Sequence, residues 1–382
     1  MLAGREMQFA LLEAIADQFE AGYQAESIVF HGLRGMGKTV FLRDAVERLR
    51  ARGWLCGYYS VRHRMDAGVA VASLLAEAVP LLPVGSRLAR FASKLTARIG
   101  SATVTAGTGG LSVEVSASGP ERDLYGDLVD VLRRLGEKAR DDGAGVAVVI
   151  DEMQALRFAD MAALVEACGS VGASDGLPVV LVGAGLPHLP VELSKACTWA
   201  ERLRYESVGR LPAQAARRAL LEPAGELDVS YSPAAAELLL NEADGYPFFI
   251  QLYASETWRA AGLPSERPGT VIDVDAVASA VPEVKRILAS GMYSARYERA
   301  SSGERDYLLV MARLASRSAD GVASSGEIAR ELGRPISGLS PTRDSLIRKG
   351  IIYSPAKGRL EFSVPGFGAY VLWKGEESDG SG

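Results

Sequence analysis

The sequence predicts an α/β fold in which a parallel sheet covered by helices is followed by a helical unit and a C-terminal winged helix-turn-helix. Three observations predict it. Gly32-Leu33-Arg34-Gly35-Met36-Gly37-Lys38-Thr39 fits G-x-x-x-x-G-K-[ST] and stands between a short apolar strand and an amphipathic helix. Val146-Ala147-Val148-Val149-Ile150-Asp151-Glu152 is a wholly apolar run ending in two carboxylates, the pattern of a buried parallel strand. Beyond residue 300 the order is helix, helix, turn, helix, hairpin.

Taken in order, Met7 to Ala21 carries Phe9, Leu12, Ile15, Ala16 and Phe19 at helical spacing, and Ser27 to His31 reads as the first strand. Val40 to Arg52 reads as the next helix, Trp54 to Val61 as a strand and Ala67 to Leu82 as another helix. Alternation of this kind is the signature of a parallel sheet with helices on its faces. Residues 83–120 interrupt it. Arg87 to Ile99 has helical spacing, whereas Ala102 to Ser118 is small, alternating and Gly/Ser/Thr-rich, which suits a β-hairpin or a loop inserted in the sheet domain. Leu124 to Arg140 is a helix, 146–152 and 178–183 are strands, and Arg204 to Leu211 is a fifth strand that closes the sheet domain at residue 211.

Residues 212–282 read as helices at Gln214 to Glu222, Pro233 to Ala243 and Phe248 to Ala261, with the turn Gly245-Tyr246-Pro247 before the last. Residues 283–374 hold helices at Glu304 to Ala315, Ser324 to Leu332 and Ser340 to Lys349, then two strands around Pro355-Ala356-Lys357-Gly358. Ser324 and Glu327 have capping-box spacing. The last eight residues, 375–382, read as an acidic flexible tail.

Each motif points to a chemistry. Glycines in the 32–39 loop let successive N–H groups face one concavity, and the helix that follows adds partial positive charge there. Gly32, Leu33, Arg34, Gly35, Met36, Gly37, Lys38, Thr39 and Val40 are therefore the expected phosphate-binding set. Lys38 would reach the β- and γ-phosphates and Thr39 would hold Mg²⁺. Ligands of open α/β sheets bind at the carboxyl ends of the strands, which puts Asp151 and Glu152 at the same crevice. Asp151 is the expected second Mg²⁺ contact and Glu152 the group that polarises the attacking water. In the helix-turn-helix, Ser337, Ser340, Thr342 and Arg343 would face a major groove, with Arg348 and Lys349 near phosphates and Lys357 and Arg359 on the wing.

The totals bound the class. With 48% hydrophobic and 23% charged residues the chain has a globular composition. It has no apolar run of membrane-spanning length and no basic-then-apolar leader, so a cytoplasmic location without membrane contact is expected. Cys56, Cys168 and Cys197 suit reduced core thiols, and His31, His63 and His188 have no metal-ligand spacing. The net charge is −5, yet residues 283–374 carry 15 Lys and Arg against 9 Asp and Glu, a net of +6. That basic segment on an acidic body fits a nucleic-acid face or a solvated surface.

With these residues in place, the chain resembles AAA+ P-loop ATPases (ASCE type) of the archaeal-ATPase and STAND group, related to origin-recognition ATPases. The resemblance runs from Gly4-Arg5-Glu6 through the Walker A loop 32–39 and Walker B strand 146–152 to Gly245-Tyr246-Pro247 and the C-terminal winged helix. It implies a sheet ordered 5-1-4-3-2, ATP rather than GTP as ligand, and a lid whose Tyr246 and Pro247 line adenine. It also implies a γ-phosphate-sensing arginine before the fifth strand, in the same chain or a neighbour, for which Arg202 is the first candidate and Arg204 the second. Two departures imply slow hydrolysis: Gly183-Ala184-Gly185 replaces the polar residue usual after the fourth strand, and the usual lid arginine is absent. The function expected is a nucleotide switch that controls binding of double-stranded DNA. The alternative is a signalling scaffold that forms homo-oligomers with ATP and binds a protein partner.

Overall fold

The computed structural model describes residues 2–24, 26–61, 102–107, 110–115, 124–262 and 269–379. The helices expected at 67–82 and 87–99 lie outside the described residues. Five parallel strands form the central sheet: β1 (Ile28–His31), β2 (Leu55–Ser60), β5 (Val146–Asp151), β6 (Val179–Gly185) and β7 (Arg204–Ser207), arranged β2-β5-β6-β1-β7. In chain order within this sheet that is 5-1-4-3-2, as the resemblance implies. Between β2 and β5, strands β3 (Ala102–Gly107) and β4 (Gly110–Val115) pair antiparallel with Gly107 opposite Gly110, so the hairpin alternative holds for 102–115.

Strand alternation divides the core into two layers. Phe30, Ala147, Val149, Val180 and Val182 face α1 (Glu6–Glu20) and α2 (Lys38–Ala51), whose Phe9, Phe41 and Leu42 join the same cluster. Val29, Val148, Ile150, Val179 and Leu181 face the other way, onto Leu132 of α3 (Leu124–Asp141) and Leu164 of α4 (Phe158–Gly169). Near-continuous apolar strands are what a sheet covered on both sides requires. Helix α5 (Leu189–Ala196) follows β6. The fifth strand is shorter than expected. Val208 N–H still reaches the His31 carbonyl at 2.8 Å, and by Leu211 the chain bonds Gly245 instead, also at 2.8 Å, so it has left the sheet for the lid.

The lid comprises α6 (Ala213–Glu226), α7 (Pro233–Ala243), α8 (Pro247–Ala260) and α9 (Val274–Leu288), with a small parallel pair β8 (Val229–Tyr231) and β9 (Thr270–Ile272). After the short α10 (Ser294–Glu298) come α11 (Ser302–Arg317), β10 (Ala323–Ser324), α12 (Ser325–Glu331), α13 (Ile336–Arg348), β11 (Ile352–Tyr353) and β12 (Arg359–Phe362). Their antiparallel sheet is ordered β10-β12-β11 and covers the three helices in the element order expected for the C-terminal segment. Three details differ from expectation. Helix α13 begins at Ile336, earlier than expected, and carries Pro341 in its second turn, where the missing N–H forgoes one backbone bond. The capping box belongs to Ser301 and Glu304, while Ser324 caps α12 through the Gly326 N–H. Residues 375–379 of the expected flexible tail are the end of α14 (Phe367–Asp379), which buries Phe367 and Val371 and packs Gly375 against Leu309 of α11; the last three residues lie outside the described ones.

Candidate active site

The loop after β1 takes its shape from its glycines. Gly35 and Gly37 take φ of +84° and +85°, angles that suit glycine, and Gly37 is the N-cap of α2. Lys38 is buried and its ammonium folds back onto the loop, donating to the carbonyls of Gly32 at 2.8 Å and Leu33 at 2.9 Å. Burial pulls its pKa down; the carboxylates of Glu152 and Asp151 work against that, and Arg34 adds to it. The ammonium therefore lies within electrostatic reach of both acids.

Those acids stand where β5 ends. Thr39 donates its hydroxyl proton to Asp151 Oδ2 at 2.5 Å, and Tyr58 on β2 donates to the same oxygen at 2.8 Å. Asp151 Oδ1 accepts the Glu152 N–H at 2.8 Å. A hydroxyl and a carboxylate side by side are hard oxygen donors, the set that suits Mg²⁺ with waters and phosphate completing its shell. Glu152 has left the strand: its φ is +56°, uncommon for a residue with a side chain. Its carboxylate accepts a hydrogen bond from the Gln154 side-chain amide. Lys38, Thr39, Asp151 and Glu152 are thus brought together at the carboxyl end of the sheet.

The loop is braced from behind by residues whose role no local pattern in the sequence announces. Arg5, only 4% exposed, donates to the Met36 carbonyl at 2.8 Å and to the Gly209 carbonyl at 2.7 Å. Tyr58 and Gln154 were equally silent, since single polar residues on an apolar strand and in a turn carry no spacing signal.

Tyr246 corrects the expected adenine contact. Its side chain is 0% exposed, packs on Gly35, where a Cβ would come within 2.7 Å of the ring, and donates to the Arg34 carbonyl. No ring face is left for a base. The residue supports the phosphate loop instead, and Pro247 starts α8 beside it.

Arg202 and Arg204 stand apart from the phosphate loop of their own chain, which leaves the neighbouring-chain alternative. Arg204 aligns with Ile28, the first residue of β1, so Arg202 and Arg204 sit at the amino end of the sheet while the phosphate loop leaves its carboxyl end. Arg202 stacks over Trp199 at 4.3 Å and Arg204 pairs with Glu206 at 2.9 Å. Neither reaches the phosphate loop of its own chain.

The expected DNA-contact residues do not share one outward face. Arg343 bonds Asp344 at 2.9 Å, and together with Arg348 it lines a cleft of about 450 Å³ against Arg34, His188 and Lys195 of the sheet domain. His188 is held below its ordinary pKa by burial, then by Arg348 and Arg34. Lys349 bonds Glu304 at 2.6 Å, and Arg359 pairs with Asp320. Ser340 donates back to the Ile336 carbonyl, Thr342 is half-buried, and Lys357 is exposed on the hairpin turn.

A phosphate loop, a hydroxyl–carboxylate pair and a displaced glutamate at one sheet edge are the parts of a nucleotide hydrolase. Residues 1–182 match the family described as AAA ATPase domain. Residues 1–182 thus carry an AAA ATPase domain, and the chain is an ATPase. Residues 290–371 of this ATPase match a second family, described as a domain of unknown function, DUF8462. A comparison with curated proteins returned no match. Among solved structures, the Walker-type ATPase PABY2304 of Pyrococcus abyssi is similar at a TM-score of 0.59 and 14% identity, over 96% of this chain and 95% of that one. That likeness carries the fold. The ORC1 protein of Aeropyrum pernix, solved in complex with DNA, matches at a TM-score of 0.45 and 20% identity over 98% and 93% of the two chains. The RuvB Holliday junction branch migration motor of Thermotoga maritima matches at 0.45 and 16% over 93% and 90%. No described helix of the ATPase is long and apolar enough to cross a membrane.

Proposed function

We propose that this ATPase is a slow, Mg²⁺-dependent nucleotide switch whose bound nucleotide sets the contact between the sheet domain and a C-terminal winged-helix domain, and so controls access of double-stranded DNA to α13. The observation that carries the reading is the shared cleft. Arg343 and Arg348 of α13 face Arg34, a residue of the phosphate loop itself. A change in that loop is therefore felt directly by the helix expected to read DNA. In this conformation Arg343 is half-buried at the cleft while Arg348 and the start of α13 at Ile336 and Ser337 are exposed, so opening of the cleft would free Arg343 for duplex contact.

ATP would bind with its β- and γ-phosphates on the loop N–H groups, Lys38 turning from the Gly32 and Leu33 carbonyls to the phosphate oxygens. Mg²⁺ held by Thr39 and Asp151 would neutralise developing phosphate charge. Glu152 takes the proton of the attacking water as its oxygen bonds the γ-phosphorus and the bond to the β-phosphate oxygen breaks. The test is the steady-state ATPase rate with and without random-sequence duplex, with Glu152→Gln as blank. A rate that changes with duplex supports the reading, and a genuine rate that ignores duplex removes it.

One observation favours a second reading, an ATP-dependent homo-oligomer that recognises a protein. Arg202 is exposed at the amino end of the sheet, where it is available to a neighbouring copy's phosphate site. Sedimentation with and without ATP separates the two, and a shift to a larger species that Arg202→Ala abolishes is the expected signature.

A further inference from the structure

We propose that Gln154 is a positioning residue for Glu152, holding the carboxylate in the orientation from which it takes the proton of water. The proposal rests on the reading of Glu152 as the base and adds what orients it.

Gln154 lies in the 3₁₀ turn Met153–Ala155 that directly follows β5. Its amide oxygen accepts the Leu186 N–H at 3.1 Å, and its amide nitrogen donates to Glu152 Oε2. The orientation of the amide is fixed by chemistry. A backbone N–H can only donate, so the oxygen must face Leu186, which leaves the NH₂ group for a carboxylate that can only accept. The space is provided across the sheet: a Cβ on Gly185 would come within 2.4 Å of Gln154 Oε1. A glycine at this position is what lets the glutamine reach across from β5 to the end of β6.

Glu152 needs such a support. With φ at +56° its backbone has turned out of the strand, and its N–H is committed to Asp151. Among the described residues the only side chain bonded to its carboxylate is Gln154. The carboxylate also lies within electrostatic reach of Lys38, the buried cation of the phosphate loop. A base that is free to rotate spends little time aligned with water, and alignment is where much of a proton-transfer advantage resides.

The experiment uses the full chain with Gln154→Leu, Gln154→Glu and Glu152→Gln, measuring kcat and KM for Mg-ATP from weakly acidic to alkaline pH, and nucleotide affinity with a fluorescent ATP analogue. Gln154→Leu should lower kcat by about tenfold or more with affinity unchanged. Gln154→Glu keeps the shape but can donate only while protonated. Two adjacent carboxyls share a proton at low pH and repel once both ionise. Its kcat should therefore approach the parent's at low pH and fall as pH rises, an alkaline limb that a packing role would not produce. Should Gln154→Leu fail to fold, the isosteric Gln154→Glu decides. Parent kcat in Gln154→Leu, or a parent pH profile in Gln154→Glu, overturns the proposal and leaves Glu152 as base. Full turnover in Glu152→Gln removes the base assignment and this proposal with it.

Discussion

The Tyr246 hydroxyl donates its hydrogen bond to the carbonyl oxygen of Arg34, tying the turn before α8 to the phosphate loop. The Phe248 N–H reaches the next carbonyl, that of Gly35, at 3.3 Å, so two successive loop carbonyls are held from the lid. The same hydroxyl lies 3.5 Å from the Ser363 carbonyl of the C-terminal segment. Loop, lid and C-terminal segment thus meet at one phenol.

Tyr246→Phe should therefore weaken nucleotide binding more than it weakens the fold. The ring still packs on Phe249 and Gly35, while the Arg34 carbonyl loses its partner, at a cost of about 1 kcal/mol. Isothermal titration should show nucleotide affinity lowered about fivefold, with a nearly unchanged melting temperature. Unaltered affinity would mean that the loop keeps its shape without the lid.

Lys38→Ala and Glu152→Gln should separate binding from turnover. Lys38 is the buried cation of the loop, and its removal takes away the charge that meets the β- and γ-phosphates, so nucleotide binding should fall below detection. Glu152→Gln keeps the shape but cannot accept a proton, so binding should persist while phosphate release stops. Retained binding in the first variant would move the phosphate site elsewhere.

Much of this site was legible because it is written in contiguous residues. The loop 32–39 and the strand ending Asp151-Glu152 are local patterns, and a sheet covered on both faces follows from strands without a polar side. What failed was relational. Tyr246 stands in a turn that looks like a base-binding element, yet its burial depends on Gly35, far away in sequence. Arg202 shows the same limit: a residue just before a parallel strand lies at its amino end, and only the strand order tells how far that is from the loop of its own chain. Arg343 was expected to face a major groove and Arg348 to lie near phosphates, and helix periodicity cannot say that both also line a cleft toward the sheet domain.

Arg5 illustrates that relational layer and gives a third expectation. Its guanidinium joins the Met36 carbonyl of the loop to the Gly209 carbonyl at the exit from the sheet, with burial holding its pKa below the ordinary arginine value. Arg5→Ala leaves two carbonyls without their charged donor, and hydrogen bonds to charged groups contribute about 2 kcal/mol each before compensation by water. Urea unfolding should show a loss of about 2–3 kcal/mol, and nucleotide affinity should fall with it. Lost stability with intact affinity would restrict Arg5 to bracing the fold.

Glu304 gives the pH dependence. Burial pushes its carboxyl up, but hydrogen bonds from Lys349 and from the Ser301 N–H outweigh that and hold it down to about 2, against an ordinary value of 4.5. A carboxyl depressed in the folded state adds stability that is fully present above its unfolded value and is lost as pH falls from about 4.5 toward 2. Glu304→Gln removes the titration while keeping the shape. It should lower stability by about 2 kcal/mol near neutral pH, and the gap to the parent should close as pH falls through that window. Urea unfolding of both proteins across the acid range measures it, and a gap that stays constant would mean the Lys349 contact does not hold the charge. If the gap closes as expected, the Lys349 ammonium is committed to α11 at the pH where duplex binding would be assayed. Any phosphate contact made by the end of α13 must then come from Arg348.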